Sequence, residues 1–343
     1  MWRSFARIVP FVAFIFLVFP IAACGQVQIN NNATAPTNNT SGGANQAVKI
    51  LVMPKAIGAS YWESVHQGAV CASSKLQNVS MQWDGVTAET DVTGQANMLT
   101  NYITQGVNGI VYAATDAKVL TQQTNQALQA KIPVVNIDSG TDPQPANVPL
   151  FATDNVASAT KAADLLAQAL HNSGKIAFLP FLAGSATNDE RAQGFLDGLK
   201  KYPNLKLVAT QYSQSDTNTA LRVTEDILSA HPDLNGIFAA NEPGVIGAAQ
   251  AIKKAGKAGK IVIIGWDAAP DELTYVQQGL ISALVVQNPF KMGYDGVNAV
   301  VKMIRDKASI QSEDTGVTFV TPQNLNTTSV KAVLNPSCAN PPV

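Results

Sequence analysis

The stretch Pro133-Val134-Val135-Asn136-Ile137-Asp138-Ser139-Gly140 limits what this chain can fold into more than any other. A run of β-branched apolar residues ends at an acid followed by small turn formers. That pattern reads as a short buried strand with a carboxylate at its carboxyl end. A strand without polar alternation is covered on both faces, as parallel strands of α/β sheets are. Open parallel sheets take ligands in the crevice outside the carboxyl ends of their strands. Asp138 is therefore a candidate ligand residue. The same device returns as Ile261-Val262-Ile263-Ile264-Gly265-Trp266-Asp267. The expectation is two lobes, with Asp138 and Asp267 facing each other across one cleft.

The rest of the chain alternates between strand and helix periodicity. Strands are predicted over 49–53, 79–83, 109–113, 133–137, 175–179, 205–209, 236–240, 261–264, 281–286 and 316–320. Helices are predicted over 61–76, 90–105, 117–130, 156–171, 188–201, 216–230, 243–255, 271–278 and 289–306. Asp116 is read as the cap of the 117–130 helix, and Pro289 as a first-turn proline. Residues 151–155 read as a link between the lobes. Lys175-Ile176-Ala177-Phe178-Leu179-Pro180 echoes Lys49-Ile50-Leu51-Val52-Met53-Pro54, as if each opened one half. Strictly alternating elements give doubly wound, Rossmann-like α/β lobes with right-handed crossovers.

Residues 1–23 carry Arg3 and Arg7, no acid, and an apolar centre ending in Ile21-Ala22-Ala23-Cys24. This is the plan of a secretory signal. Its apolar run is short for a transmembrane helix. Ile-Ala-Ala-Cys resembles a bacterial lipobox, which makes Cys24 the expected lipidated terminus. The uncharged Asn/Thr/Gly-rich segment up to residue 47 reads as a flexible tether. The expected location is outside the cytoplasmic membrane, lipid-anchored, at the cell surface or in the periplasm. The formal charge of −1 lacks the basic footprint of nucleic-acid binders. Cys71 and Cys338 permit one bridge in an oxidising compartment; the alternative is a buried helix cysteine and a loose tail cysteine. No CxxC or HExxH occurs, so no metal and no cofactor are expected.

At Ile281-Ser282-Ala283-Leu284-Val285-Val286-Gln287-Asn288-Pro289-Phe290-Lys291-Met292-Gly293-Tyr294 the chain resembles the type I periplasmic sugar-binding proteins. These are the ribose-binding-protein-like receptors of ABC importers. Met53-Pro54-Lys55 with Tyr61-Trp62, Lys131 to Gly140, Thr153-Asp154-Asn155, Glu190 to Phe195, Gly236 to Glu242 and Gly265-Trp266-Asp267 agree in order and spacing. The resemblance spans about residues 48–334. It implies two lobes joined by a three-segment hinge: 48–152 plus 288–314, and 153–287 plus 315–334, with a tail over 335–343. It also implies a monomer that closes on a sugar or polyol and hands it to a membrane permease.

On the same resemblance Asp138 and Asp267 accept sugar hydroxyls, Arg191 reaches into the cleft, and Asn241 and Gln287 supply amides. Tyr61 and Trp62 are the aromatic pair beside the ring, and Lys55 is a further candidate. Three positions depart from the pattern. Ala59 replaces an asparagine, Ser139, itself a candidate ligand residue, stands where ribose receptors carry an arginine, and Ala113 or Ala114 replaces a polar residue. The departures set the chain apart from ribose receptors and leave the sugar unnamed.

An enzyme on this framework needs a nucleophile, a phosphate loop or a metal. Neither GxSxG nor GxGxxG occurs, and Lys254 to Lys260 lacks phosphate-loop spacing. Two cleft acids are also the equipment of a glycosidase, the enzymatic alternative. A sugar-responsive repressor needs a DNA-binding headpiece where this chain has an export signal. Coupling to a sensor kinase or chemoreceptor, rather than a permease, fits the same motifs.

Overall fold

The computed structural model describes residues 47–339 and residue 341. The signal, the lipobox cysteine and nearly all of the tether lie outside the described residues. Two six-stranded sheets organise the chain. The first lobe is built from β1 (Val48–Met53), α1 (Ser60–Lys75), β2 (Val79–Trp83), α2 (Val92–Thr104), β3 (Gly109–Tyr112), α3 (Thr121–Gln129), β4 (Val134–Ile137) and β5 (Leu150–Ala152). The second lobe follows with α4 (Asn155–Ala169), β6 (Gly174–Leu179), α5 (Ala186–Leu199), β7 (Leu205–Thr210), α6 (Thr217–Ala230), β8 (Gly236–Ala239), α7 (Glu242–Lys254), β9 (Val262–Trp266), α8 (Pro270–Gln277) and β10 (Ala283–Gln287). The chain then returns to the first lobe with α9 (Pro289–Arg305) and β11 (Glu313–Asp314). It ends on the second with β12 (Val317–Val320) and α10 (Thr328–Leu334).

The sheet orders are β11-β5-β4-β3-β1-β2 and β12-β10-β9-β8-β6-β7. Position by position, β1 corresponds to β6, β3 to β8, β4 to β9 and β5 to β10. All pairings are parallel except β12 against β10. The central strands are buried along nearly their whole length, because helices cover both faces of each sheet. Aspartates cap α2, α4 and α6, each accepting a backbone N–H from the first turn. Helices α1 and α9 approach so closely that the Val65 carbonyl fills the space a Cβ on Gly293 would need.

Three details differ from the sequence expectation. Phe151 and Ala152, read as part of a link, belong to strand β5, which pairs with β4 and β11. The crossing itself is Thr153-Asp154. Asp116 does not cap a helix running from residue 117. Its carboxylate accepts the Lys118 and Val119 N–H groups in a separate turn, and α3 begins at Thr121. Strand β11 and helix α10 went unpredicted.

The three crossings are hydrogen-bonded to one another. Thr153 Oγ1 donates to Gln287 Oε1 at 2.9 Å, and Asn288 Nδ2 donates to the Thr315 carbonyl at 2.6 Å. Cys71 in α1 and Cys338 beyond α10 form a disulfide.

Candidate functional site

The carboxyl ends of both sheets meet around a cavity of about 650 Å³. Correspondence between the sheets explains its lining. Lys55 and Phe181 each stand two residues beyond β1 and β6. Asp138 and Asp267 each follow β4 and β9 directly. Both aspartates have left-handed backbones, with φ of 58° and 81°. Aspartate tolerates that region better than most residues, at a cost of about 1–3 kcal/mol. The turn lets each strand deliver a carboxylate into the cleft and lets the chain leave it at once.

Asp138 is buried, and each of its oxygens has one partner. Its Oδ2 lies 2.9 Å from Lys55 Nζ, and its Oδ1 accepts the Tyr61 hydroxyl at 2.9 Å. Lys55 is only 2% exposed. Its ammonium also crosses to the second lobe, donating to Thr187 Oγ1 at 2.8 Å and Ser185 Oγ at 3.2 Å. Burial, with the Asp138 charge next, pushes the Tyr61 phenol well above its ordinary range, so it stays a donor.

Asp267 takes Gln287 Nε2 on Oδ1 at 2.7 Å and the Glu242 N–H on Oδ2 at 3.2 Å. Burial pushes its carboxyl up to about 7, against the pull of Arg191 and the Gln287 hydrogen bond. Behind it, Glu272 accepts the Ala269 N–H on one oxygen, while the other is buried without a partner. Burial and the nearby Asp267 and Glu242 raise Glu272 far above the carboxylate range.

Arg191 is held flat. Its guanidinium lies 4.2 Å from the Trp266 ring centroid and 5.5 Å from that of Phe181. Nε donates to Asn155 Oδ1 at 2.8 Å, and Nη1 to the Ala240 carbonyl at 2.7 Å. Its fixed partners are neutral oxygens, not Asp189 or Asp197. Arg191 helps to line the cavity, and a guanidinium has further donors beyond these two bonds.

The lobes are shut on each other. Glu242, at the start of α7, accepts the N–H groups of Ser60 at 3.1 Å and Tyr61 at 2.9 Å across the gap. Helix α1 has no cap of its own, because its N-cap residue is Ala59. The opposite lobe therefore supplies it. Burial raises the Glu242 carboxyl, opposed by those two backbone donors. On another side Ala117 N–H donates to the Gly184 carbonyl at 2.9 Å. Gly184 has φ of 88°, and a Cβ there would meet Asp116 of the first lobe at 2.5 Å. A side chain at 184 would be strained by that backbone and would push the Asp116 carboxylate aside.

Eight of the nine sequence candidates line the cavity: Lys55, Tyr61, Trp62, Asp138, Arg191, Asn241, Asp267 and Gln287. Ser139 does not. The left-handed turn at Asp138 carries the chain toward the β3 loop, where the Ser139 carbonyl accepts the Ala114 N–H. Asn241 is engaged by its own lobe: Oδ1 caps α7 through Gly244 N–H and Nδ2 donates to Ser215 Oγ at 2.8 Å. Tyr61 and Trp62 meet edge to face, 4.9 Å between centroids, and the indole N–H donates to Glu89.

Sequence reasoning missed Phe181, Thr187, Glu89 and Glu242, which also line the cavity. The echo between the first strands pointed to Phe181, since it places that residue opposite Lys55. Glu242 carried no signal of its own beside Asn241. Among the described residues no cluster of His, Cys, Asp or Glu could hold a metal ion, and no helix is long and apolar enough to cross a membrane.

Residues 50–308 match the family described as periplasmic binding protein domain. The chain is 30% identical over 262 residues to the D-allose-binding periplasmic protein of Escherichia coli K12, which covers 74% of this chain and 84% of that protein. An ABC transporter solute binding protein from Agrobacterium vitis, solved with bound D-fucose, superposes with a TM-score of 0.80 at 37% identity. That match covers 82% of this chain and 98% of the other. A carbohydrate transporter solute binding protein from Agrobacterium radiobacter, in complex with D-arabinose, gives 0.81 at 32% identity, covering 84% and 99%.

Proposed function

The chain belongs to the periplasmic binding protein domain family, and on that premise we propose that it captures a neutral sugar or polyol between its lobes for delivery to an ABC transporter permease. The observation that carries this reading is the composition of the shared cavity. Asp138 and Asp267 come from opposite lobes, and Arg191, Gln287, Lys55 and Tyr61 stand around them. Sugar hydroxyls both donate and accept, so they need carboxylates and cations together. Hydrogen bonds to charged groups in such a site contribute roughly 1.5–3 kcal/mol each, and an unmade one costs comparably.

Charge balance supports a neutral ligand. The Lys55 ammonium compensates the Asp138 carboxylate. The Arg191 guanidinium pulls the Asp267 carboxyl down against burial, so the second acid has a cation of its own when ionised. Arg191 in turn faces the charges of Asp267 and Glu190, and its guanidinium is positioned by Asn155, the Ala240 carbonyl and two aromatic rings. The D-allose, D-fucose and D-arabinose of the relatives point to the same ligand class.

In this reading residues 48–152 with 288–314 move against 153–287 with 315–334, and the bonded crossings form the hinge. Closure brings Glu242 onto α1 and Lys55 onto Thr187, and the permease meets the closed form. The role is binding without turnover. Cys24 would anchor the chain outside the cytoplasmic membrane. A thermal-shift screen over pentoses, hexoses, deoxyhexoses and polyols tests the reading. A ligand that binds only the folded, closed form raises the melting temperature by mass action. A panel in which no neutral sugar or polyol shifts the melt would contradict it.

A further inference from the structure

The Cys71–Cys338 disulfide joins the two lobes. Cys71 lies in α1, whose Val65, Ala69 and Ala72 pack into the core of the first lobe. Cys338 follows α10, whose Val330, Val333 and Leu334 pack on the core of the second. Only Asn335, Pro336 and Ser337 lie between Leu334 and the bridge. The tail is fixed on the first lobe a second time, since Lys75 Nζ donates to the Cys338 carbonyl at 2.8 Å. Asn335 and Pro336 help to line a separate cavity of about 530 Å³, which Tyr61, Glu242 and Asp267 share with the ligand cavity. The bridged tail thus borders the same cavity as Glu242, whose contact shuts the cleft.

We propose that this tail is a covalent strap: a fourth connection between the lobes that limits how far they open. The proposal rests on the hinge reading given above. Its physical basis is reach. The chain from Leu334 to Cys338 spans at most about 14 Å when fully extended. The bridged Cα atoms are 5.4 Å apart. Leu334 and Cys71 therefore stay within about 19 Å of each other however the lobes turn. The three backbone crossings set the axis of motion, and the strap sets its amplitude. With the open ensemble narrowed, less conformational freedom is lost on closure. Both cysteines lie outside the lining of the ligand cavity, so cutting the strap leaves every ligand contact in place.

Small-angle X-ray scattering of the ligand-free protein tests this without any sugar. Two variants are compared with the wild type. Cys338→Ser removes the bridge. The second variant keeps the bridge but carries a flexible Gly/Ser insertion of about six residues after Pro336, adding slack alone. Both are expected to shift to a larger radius of gyration and a broader distance distribution. The insertion separates a strap from a disulfide that merely stabilises the fold, and it decides the matter if Cys338→Ser fails to fold.

A shift in Cys338→Ser with the insertion variant unchanged would overturn the strap. So would three identical curves that are all more open than the closed structure, which would leave the hinge reading standing. Three identical curves that all fit the closed structure would sink the hinge reading and the strap together. A protein that opens as described but binds none of the sugars would retain the strap and lose only the ligand assignment.

Discussion

Asp138 and Asp267 occupy the same step of two repeated frameworks: each follows the strand one place outward from β3 or β8, and each has a left-handed backbone. Their surroundings differ. Asp138 is compensated by a buried ammonium at 2.9 Å, whereas Asp267 takes an amide and a backbone N–H. Equivalent positions therefore supply two acceptors with different partners, a cation for one and neutral donors for the other, one from each side of the cavity.

The Lys55–Asp138 pair sets the first prediction. Removing one member of a buried pair leaves an uncompensated charge, which costs about 3–5 kcal/mol. Asp138→Ala and Lys55→Met should each lower the melting temperature. The double variant should recover most of that loss while binding stays abolished. Thermal denaturation of the four-member cycle reads the coupling. Additive losses would mean that the pair is not coupled.

Asp267 predicts a proton signature. Its folded value, pushed up to about 7, lies above the ordinary carboxylate value of about 4. The native state therefore holds the extra proton between those values, and this contribution to stability is lost as pH rises toward 7. A sugar hydroxyl donating to the carboxylate favours ionisation. Binding should release protons at pH 6, release almost none at pH 8, and release fewer at pH 6 in Asp267→Asn. Calorimetry in two buffers of different ionisation enthalpy measures it, and proton uptake at pH 6 would contradict the donor direction.

Arg191→Lys should not rescue Arg191→Ala. The site uses a planar cation against Trp266 and Phe181 with forked donors, which an ammonium cannot reproduce. Affinity should fall by about a hundredfold in both variants, in line with about 1.5–3 kcal/mol per charged hydrogen bond. Near-native affinity in the lysine variant would show that only charge matters.

Glu242 acts through closure. Glu242→Ala leaves α1 uncapped, a loss of about 0.5–2 kcal/mol. That loss should appear as up to about thirtyfold faster sugar dissociation, with little change in association. Stopped-flow displacement reads the two rates. An unchanged dissociation rate would remove Glu242 from the latch.

Much of this was legible in the sequence, for physical reasons that also explain the gaps. Strands β4 and β9 are buried on both faces, so their apolar runs and terminal aspartates stood out. Strands β5 and β11 are too short to show a period, and pairing alone makes them strands. Ser139 was read from its place in the family pattern, where ribose receptors carry an arginine, but the left-handed turn at Asp138 takes it out of the cavity lining. Glu242 and Thr187 matter because of what the other lobe brings to them, and no local pattern records that. The reach of the Cys338 tail became readable only once α1 and α10 were placed on different lobes.

The central claim is that one carboxylate from each lobe grips the same neutral molecule. Titration calorimetry of the sugar panel against wild type, Asp138→Asn and Asp267→Asn tests it most directly. The account predicts one-site binding of at least one neutral sugar by the wild type, weakened by about a hundredfold or more in each variant, two lost charged hydrogen bonds at about 1.5–3 kcal/mol apiece. Unchanged affinity in both variants, for a sugar that the wild type binds, would contradict it.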